Sequence, residues 1–594
     1  MPHIMSSFFL LCVILFTGAT TGFEVKAVPY DYSAISECLQ QPLKPQYNGG
    51  LIKNPELNNG LEGWTVYGNA KIEHRESSGN KYVVAYNRNQ SSDTVSQKIN
   101  LQKGMHYTLS GWLQVTGSNV LVKATLKTNK GYTLAGATYA ESNCWSMIKG
   151  GFTADTSGPA ELYFESKDTS VDIWVDNLSL QPFTEEEWKS HHVESIEKAR
   201  KRKVLLKVAY KQGSPVGNAT ISIKQKRSGF PFGSAINSNI LQNTAYQNWF
   251  TSRFTVTTFA NEMKWYSTES VQGKENYAVA DSMLQFAQKH NIAVRGHCVF
   301  WDDPKYQPSW VPSLSSDQLN SAVQKRIQSV VTRYKDKLIG WDVVNENLHF
   351  SFFESKLGQQ FSSKVFSVVH KIDPRVTLFL NEYNTIEDQR DGSVNAANYI
   401  KKLREIQSYP TAKGVKIGIG LESHFSFAPN LPYMRSSIDM LASTGSPIWI
   451  TEIDVANQPK QAEYFEQVLR EAHSHPKVQG IVMWTAWSPN GDCYKICLVD
   501  KNFKNLPGGN VVDKLLREWG SKKVSGITNH NGTHEVTLFH GDYEVTITDP
   551  ANKDYHFTQK VQVLPEDQPE ETTTQVLQPE KPKETTTQVI EISI

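Results

Sequence analysis

The chain lacks most of what marks several large classes of protein. Its 61 Lys and Arg stand against 60 Asp and Glu in 594 residues. No surplus of one sign points to a nucleic acid or an acidic membrane surface, so no nucleic-acid partner is expected. Beyond the first residues no apolar run is long enough to cross a bilayer, and no membrane association is expected of the mature chain. Neither G-x-G-x-x-G nor a Walker loop occurs, which removes the usual dinucleotide and nucleotide cradles. Cysteine is scarce, six in all, and no second close Cys or Cys/His pair completes a zinc site, so no metal and no cofactor are expected.

The few cysteines still carry information. Cys12 lies in an apolar stretch, residues 8–16, that is too short to span a bilayer and is followed by small residues. This reads as a secretory signal peptide over 1–27, with cleavage between Ala19 and Ala27, although its first residues lack Lys and Arg. Five cysteines remain, and an odd number leaves a free thiol or an intermolecular bond. Cys493 and Cys497 are close enough to pin a loop, Cys38 with Cys144 is a plausible second pair, and Cys298, inside an apolar run, is left as a buried thiol. Sequons at Asn89, Asn177, Asn218 and Asn531 fit an exported glycoprotein. A secreted monomer is expected.

What is abundant is flat aromatic surface, with 14 Trp and 24 Tyr. Such rings serve sugar stacking as well as core packing. After an N-terminal extension over 28–48, residues 49–182 carry short apolar or alternating stretches separated by Gly, Asn and Ser turns, the pattern of a β-sandwich. A charged helical linker is expected over 183–202. Over 203–520, strand-like runs at 231–236, 253–259, 292–301, 338–344, 376–380, 416–421, 447–453 and 478–484 alternate with amphipathic segments. Eight such runs argue for a (β/α)8 barrel, with a doubly wound sheet as the competitor. A small β-rich extension follows over 521–564. The last segment, 565–594, is rich in Pro, Glu and Thr and repeats Glu-Thr-Thr-Thr-Gln-Val, so it is expected to be disordered.

Barrel active sites sit at the C-terminal ends of the strands, so polar residues that abruptly follow apolar runs deserve scrutiny. Here they are Asn261 and Lys264, His297 and Trp301, Asn345 and Glu346, Asn381 and Glu382, Glu422 and His424, Glu452 and Asp454, and Trp484 and Trp487. A lone Glu after a strand is by default a cap or a solvated carboxylate. Carboxylates, amides, imidazoles and indoles converging on one face instead make a crevice that binds sugar hydroxyls and supplies two acids for glycosidic cleavage.

Four motifs in order, Asn261-Glu262-Met263-Lys264-Trp265, Arg295-Gly296-His297, Trp341-Asp342-Val343-Val344-Asn345-Glu346 and Thr451-Glu452-Ile453-Asp454-Val455, make residues 200 to 520 resemble glycoside hydrolase family 10, in its plant branch. The resemblance implies a retaining endo-1,4-β-xylanase acting on cell-wall xylan or a related β-1,4-glycan, located outside the cell or in the wall. It implies Glu346 as general acid/base and Glu452 as nucleophile. Asn261, Lys264, His297, Trp301 and Asn345 would bind sugar, His424 would orient Glu452, and Trp484 and Trp487 would floor the subsites. The proton that Glu346 must carry is expected to be held by the nearby charge of Glu452. Three places depart from the family pattern: residues 302–306, Glu422 where Gln is common, and the segment after Trp484.

Residues 49–182 resemble carbohydrate-binding module family 22, on Asn54-Pro55, Gly63-Trp64, Trp112, Trp145 and 175–178. Trp64 reads as core. Trp112, Tyr139, Tyr163 and Glu165 are the candidates for a sugar cleft. Two other outcomes remain open within the enzyme class, transfer of the glycosyl unit to another chain and action on a different β-1,4-glycan. A non-catalytic wall-binding protein on an inactivated barrel is the rival from another class, and the retention of both carboxylates disfavours it.

Overall fold

The computed structural model describes residues 28–566 and 586–594, apart from positions 485 and 522. The signal segment and most of the 565–594 tail lie outside the described residues. Three large hydrophobic clusters separate the chain into three packed bodies.

The largest is a closed parallel barrel. Its strands are β1 (Phe232–Ser234), β2 (Val256–Thr258), β3 (Ala293–Trp301), β4 (Gly340–Asn345), β5 (Thr377–Glu382), β6 (Ile417–Leu421), β7 (Ile448–Val455) and β8 (Val478–Met483). They pair in chain order, β8 returns to β1 through Phe232 and Ile481, and β6 pairs with β7 through Ile419 and Ile448. Both faces of each strand are covered, by the barrel interior and by the helix ring, so the strands read as near-continuous apolar runs. The helices show the 3.6-residue stripe instead: in Ser316–Tyr334, Leu319, Val323, Ile327, Val330 and Val331 are buried, and a Ser315/Gln318 capping box fixes its start.

The N-terminal body is an antiparallel module of ten strands between Thr65 and Phe183. Strands Thr65–Tyr67 and Lys71–Ser77 stand at opposite ends of the hydrogen-bonded order, yet only a three-residue turn joins them. The sheet therefore curls almost shut around Val83, Leu109, Leu113, Phe164 and Leu180.

The third body departs from the sequence-based boundaries. Strands Lys201–Ala209 and Thr220–Ser228, expected within the barrel unit 203–520, pair instead with strands that follow the barrel: Val524–Ile527, Thr533–Phe539 and Gly541–Asp549. The reason is their period. Val204, Leu206 and Val208 are buried while Lys203 and Lys207 are exposed and Leu205 is half-buried, the pattern of a strand with one face in a sandwich. Strand Gln588–Ser593 runs parallel to Lys201–Ala209, so the end of the segment expected to be disordered is an edge strand. Its alternation Val589, Ile590, Glu591, Ile592 was hidden by the repeat that overlaps it.

The module is fastened to the barrel by buried charge. Lys149 Nζ of the module lies 2.8 Å from Asp439 Oδ2 on barrel helix Leu431–Ala442. Asp439 also accepts from the Tyr30 hydroxyl at 2.7 Å and faces His475 Nε2 at 3.0 Å. Burial opposes the Asp439 charge, but Lys149 and His475 hold its carboxyl below the usual range. Beside it, Glu471 is gripped by Arg435, by His192 at 2.9 Å and by the Trp188 indole at 2.8 Å. His192 and Trp188 come from helix Glu185–Ala199, whose Thr184/Glu187 capping box starts it, so the charged segment 183–202 is packed against the barrel rather than spanning open solvent. The Cys38–Cys144 disulfide pins the N-terminal extension across the module, and the Lys149 ammonium also donates to the carbonyls of Asp31 and Ser33. Removing one partner of a buried ion pair strands the other charge and costs about 3–5 kcal/mol. Asp439→Ala is therefore expected to lower the denaturant midpoint by an amount of that order and to expose the module–barrel junction to limited proteolysis. An unchanged midpoint would show that the pair is not what joins them.

Candidate active site

The crevice at the C-terminal ends of the strands is organised around two buried carboxyls, Glu346 after β4 and Glu452 in β7. Their surroundings drive them apart. Burial works against a charge on Glu452, yet the imidazoles of His297 and His424 and the Lys264 ammonium pull its acidity the other way, down to about 2. His424 Nε2 is 3.3 Å from Glu452 Oε2, and His297 Nδ1 is 3.8 Å from Oε1. His424 is braced from behind, with Nδ1 2.9 Å from Asp454 Oδ1, whereas the same Nδ1 of His297 that faces Glu452 lies closer, at 2.9 Å, to Asp342 Oδ2, whose other oxygen takes the Arg295 guanidinium at 2.6 Å. Burial would strip the proton from His424, but Asp454 first, then Glu422 and Glu452, hold it in place.

Glu346 has the opposite company. Burial comes first, then the charge of Glu382, with that of Glu452 contributing less, and together they push its carboxyl up to about 8. The sequence-based expectation credited Glu452; in the structure, desolvation and Glu382 weigh more. Glu382 is fully buried and is held by His349 Nδ1 at 2.6 Å, with the other ring nitrogen of His349 at 2.9 Å from Asp391. These carboxylates keep His349 protonated against its burial, up to about 9.

Asn381 ties the two halves together. Its Nδ2 donates to Asn345 Oδ1 at 2.9 Å and faces Glu422 Oε1 at 3.1 Å and Glu452 Oε1 at 3.2 Å, while Thr451 Oγ1 donates to its carbonyl at 2.7 Å. A side chain at Gly420 would collide with the Asn381 carboxamide, so the close approach requires glycine there. Asn345 Nδ2 in turn donates to Glu346 Oε1 at 3.2 Å. Glu422 is buried, and burial followed by the charges of Glu452 and Glu346 raises its carboxyl well above the usual range, so it stays protonated beside them.

Around this centre the sequence-derived residues fall unevenly. The Lys264 ammonium sits 4.3 Å from the Trp301 ring centre and 5.6 Å from that of Trp484, and the Tyr266 hydroxyl donates to Asn261 Oδ1 at 2.7 Å. Trp484 meets the His297 ring edge to face at 5.4 Å. Trp487 does not line the crevice. It is buried between Tyr246 and Phe503, at 4.8 and 4.9 Å, because the chain turns inward after β8. Asn381 and Glu382 stood among the strand-end residues without a role; missing from the sequence-derived set are His349, Tyr306 and Tyr494. Tyr306 stacks on Trp301 at 4.0 Å, within the segment that departs from the family pattern. Tyr494 is exposed and 5.2 Å from His424, on a loop closed by the Cys493–Cys497 disulfide. Cys298 is a buried free thiol. Among the described residues, Glu422, His424 and Glu452 bring three ligand-type atoms within 4.8 Å. Pairing of His424 with Asp454 and Glu452 accounts for that cluster without an ion.

In the module, three expectations need correction. Trp112 is buried with Tyr82, Trp145 and Met147 beneath the N-terminal extension, since the extension pairs Leu39 with Trp145. Tyr139 faces the barrel: its hydroxyl donates to Asn398 Oδ1 at 2.8 Å and Lys401 lies 4.3 Å from its ring centre. Asn177 is buried with its amide donated to Leu43 O, which leaves no room for a glycan; Asn89, Asn218 and Asn531 are exposed. Tyr163 stacks face to face with Tyr67 at 3.9 Å, and Glu165 accepts from Thr125 Oγ1 at 2.8 Å.

Two buried carboxyls of opposed proton affinity at the ends of β4 and β7, amid indoles, amides and a lysine, define the crevice as that of a glycoside hydrolase barrel. Residues 221–513 match the model of glycosyl hydrolase family 10, and residues 49–171 match that of a carbohydrate binding domain. The chain belongs to glycosyl hydrolase family 10. It is 39% identical over 577 residues to endo-1,4-beta-xylanase 5 of Arabidopsis thaliana, covering 95% of this chain and 98% of that protein. It is 40% identical over 576 residues to endo-1,4-beta-xylanase 5-like of the same plant, covering 94% and 97%. The native xylanase 10B structure from Thermotoga maritima is 24% identical, covers 49% of this chain and 95% of that one, and superposes with a TM-score of 0.44.

The two carboxyls predict the pH profile. Glu346 is protonated below about 8, so an activity that needs this proton is expected to fall in kcat/KM about tenfold per pH unit above that value. Glu452 is ionised above about 2, so an activity that needs this charge is expected to be lost on the acid side only near that pH. Glu382→Gln removes a negative charge beside Glu346 and leaves His349 paired with Asp391 alone; loss of that charge moves the alkaline limb to lower pH. An alkaline limb already near pH 4.5 in the wild type would contradict this account.

Proposed function

We propose that the chain is a retaining endo-1,4-β-xylanase that cuts internal bonds of plant cell-wall xylan outside the cell. The observation that carries this reading is the opposed proton affinity of Glu346 and Glu452 in one buried site. Ionised Glu452 attacks the anomeric carbon while Glu346 passes its proton to the leaving oxygen, and the bond that forms is a glycosyl ester. That step consumes the charge of Glu452. With it goes part of what holds the proton affinity of Glu346 high, so Glu346 can take a proton from water, which attacks the anomeric carbon and releases Glu452. Asn345 donates to the hydroxyl beside the reacting carbon, a bond that strengthens as positive charge develops. Lys264, Trp301 and Trp484 build one wall of the sugar site. His297 and His424 act through Glu452, holding its charge and orientation.

The N-terminal body serves as a xylan-binding module of the family 22 kind. Its sugar face is the sheet carrying Tyr67, Tyr163, Glu165 and the exposed Tyr132, and it adds affinity for the polymer without touching the scissile bond. Residues 1–27 direct export, and the chain acts as a monomer.

Products from linear xylan, substituted xylan and β-glucan test the assignment. Wild type is expected to release short oligosaccharides from xylan with the anomeric configuration kept. Glu346→Ala is expected to lose about 10²–10⁴ in turnover on substrates with poor leaving groups, and Glu452→Ala is expected to lose more, because no intermediate forms without the nucleophile. No turnover by wild type on any of the three would sink the hydrolase reading, inversion would sink the roles given to the pair, and products longer than a short donor would favour transfer.

A further inference from the structure

The module's sugar face does not end at the module. Pairing between strands Val120–Thr128, Gly158–Glu165 and Gly131–Ala140 sets Lys127 opposite Glu161 and Tyr132, Thr125 opposite Tyr163, Lys123 opposite Glu165 and Leu121 opposite Tyr139. Alternate residues of a strand share a face, and the register irregularity between Ala124 and Thr125 brings Tyr132 to the same side as Tyr139, so Tyr132, Lys127, Thr125, Tyr163, Lys123 and Tyr139 lie along one surface. Tyr67 joins it by stacking on Tyr163. One end carries the exposed Tyr132. The other end, at Tyr139 and Lys123, rests on the barrel: Tyr139 bonds Asn398, Asn398 Nδ2 donates to Gly392 O at 2.7 Å, and a Cβ on Gly392 would stand 3.9 Å from Lys123 Nζ.

Gly392 belongs to the segment that follows β5, and this segment is a wall of the catalytic crevice. Its Asp391 bonds His349, which bonds Glu382 beside the acid/base, and Asn384 Nδ2 donates to Asp391 Oδ2 at 2.9 Å. One side of a short, internally bonded loop thus touches the module face, and the other touches the residues that tune Glu346. The buried contacts of Asp439 fix this arrangement, as does the packing of Gly151 on Pro432, where no side chain would fit.

We infer that the module face and the barrel crevice form one binding track, so that a single xylan chain held for cleavage runs over the 388–395 loop and onto Lys123, Tyr67 and Tyr132, with buried Tyr163 supporting the Tyr67 ring by stacking on it. The inference rests on the module reading proposed above. A flexibly tethered module raises the local concentration of substrate but does not sense the length of the chain being cut. A shared track does sense it, because each added sugar beyond the crevice meets a further contact already in place.

The test is the ratio of kcat/KM on long to short soluble xylooligosaccharides, measured on the full chain beside retention on insoluble xylan. Tyr67→Ala and Tyr132→Ala are each expected to lower that ratio about two- to tenfold, the worth of one stacked ring. Gly392→Trp, which places bulk at the junction, is expected to lower the ratio while retention on insoluble xylan persists; Lys123→Ala serves as a second junction variant should the first fold poorly. If the tyrosine variants lose retention but keep the ratio, the shared track is overturned and the module reading stands. If they alter neither, the module face is misassigned and the track falls with it.

Discussion

Glu452 is buried yet ionised, although burial alone would protonate it. Every other feature of the crevice follows from how that conflict is resolved. Two imidazoles and an ammonium outweigh desolvation. Each imidazole is fixed by an acid of its own, Asp342 or Asp454, and Arg295 steadies Asp342 in turn. A buried charge this well compensated is cheap to keep, whereas the same carboxylate without its partners would be costly or neutral. Glu346, with burial and a second carboxylate beside it, settles in the opposite state. The site therefore keeps one carboxyl protonated and the other ionised through their surroundings alone, using the same side chain for both.

A network built to carry opposed charges also has to resist collapse into a simple ion pair. Asn381 supplies that resistance, since its amide reaches Asn345, Glu422 and Glu452 while Thr451 fixes its carbonyl. Glu422 adds a third carboxyl, and its retained proton leaves it uncharged beside Glu452. An amide at this position would make the same contacts with no proton to lose, so the carboxyl adds sensitivity to pH where shape alone would not.

All eight barrel strands were legible as apolar runs ending in polar residues, because strands covered on both faces have little pattern but a sharp end. The strand-end rule also reached Glu346, Glu452, His297 and His424. It missed His349 and Tyr494, which lie on loops, and it placed Trp487 in the crevice because a polar-tipped indole after a strand looks the same whether the chain next turns inward or outward. In the module, Trp112 offered no sign of being covered, since its cover comes from an extension 73 or more residues earlier in the chain. The unit expected over 203–520 took in residues 203–228, which pair with the strands after the barrel. The alternation of Val204, Leu206 and Val208 already said otherwise.

The small sandwich is drawn from both sides of the barrel, with two strands before β1 and the rest after β8. Topologically the catalytic body is a guest, inserted between Ser228 and Val524 of a host whose two halves are far apart in sequence but pair directly in space. The two ends of the guest are thereby stapled to one another by the host's own hydrogen-bond ladders. Fraying at one end of the barrel cannot spread without also unzipping strands that belong to the other end, so the enzyme's weakest points are made to share a single fate.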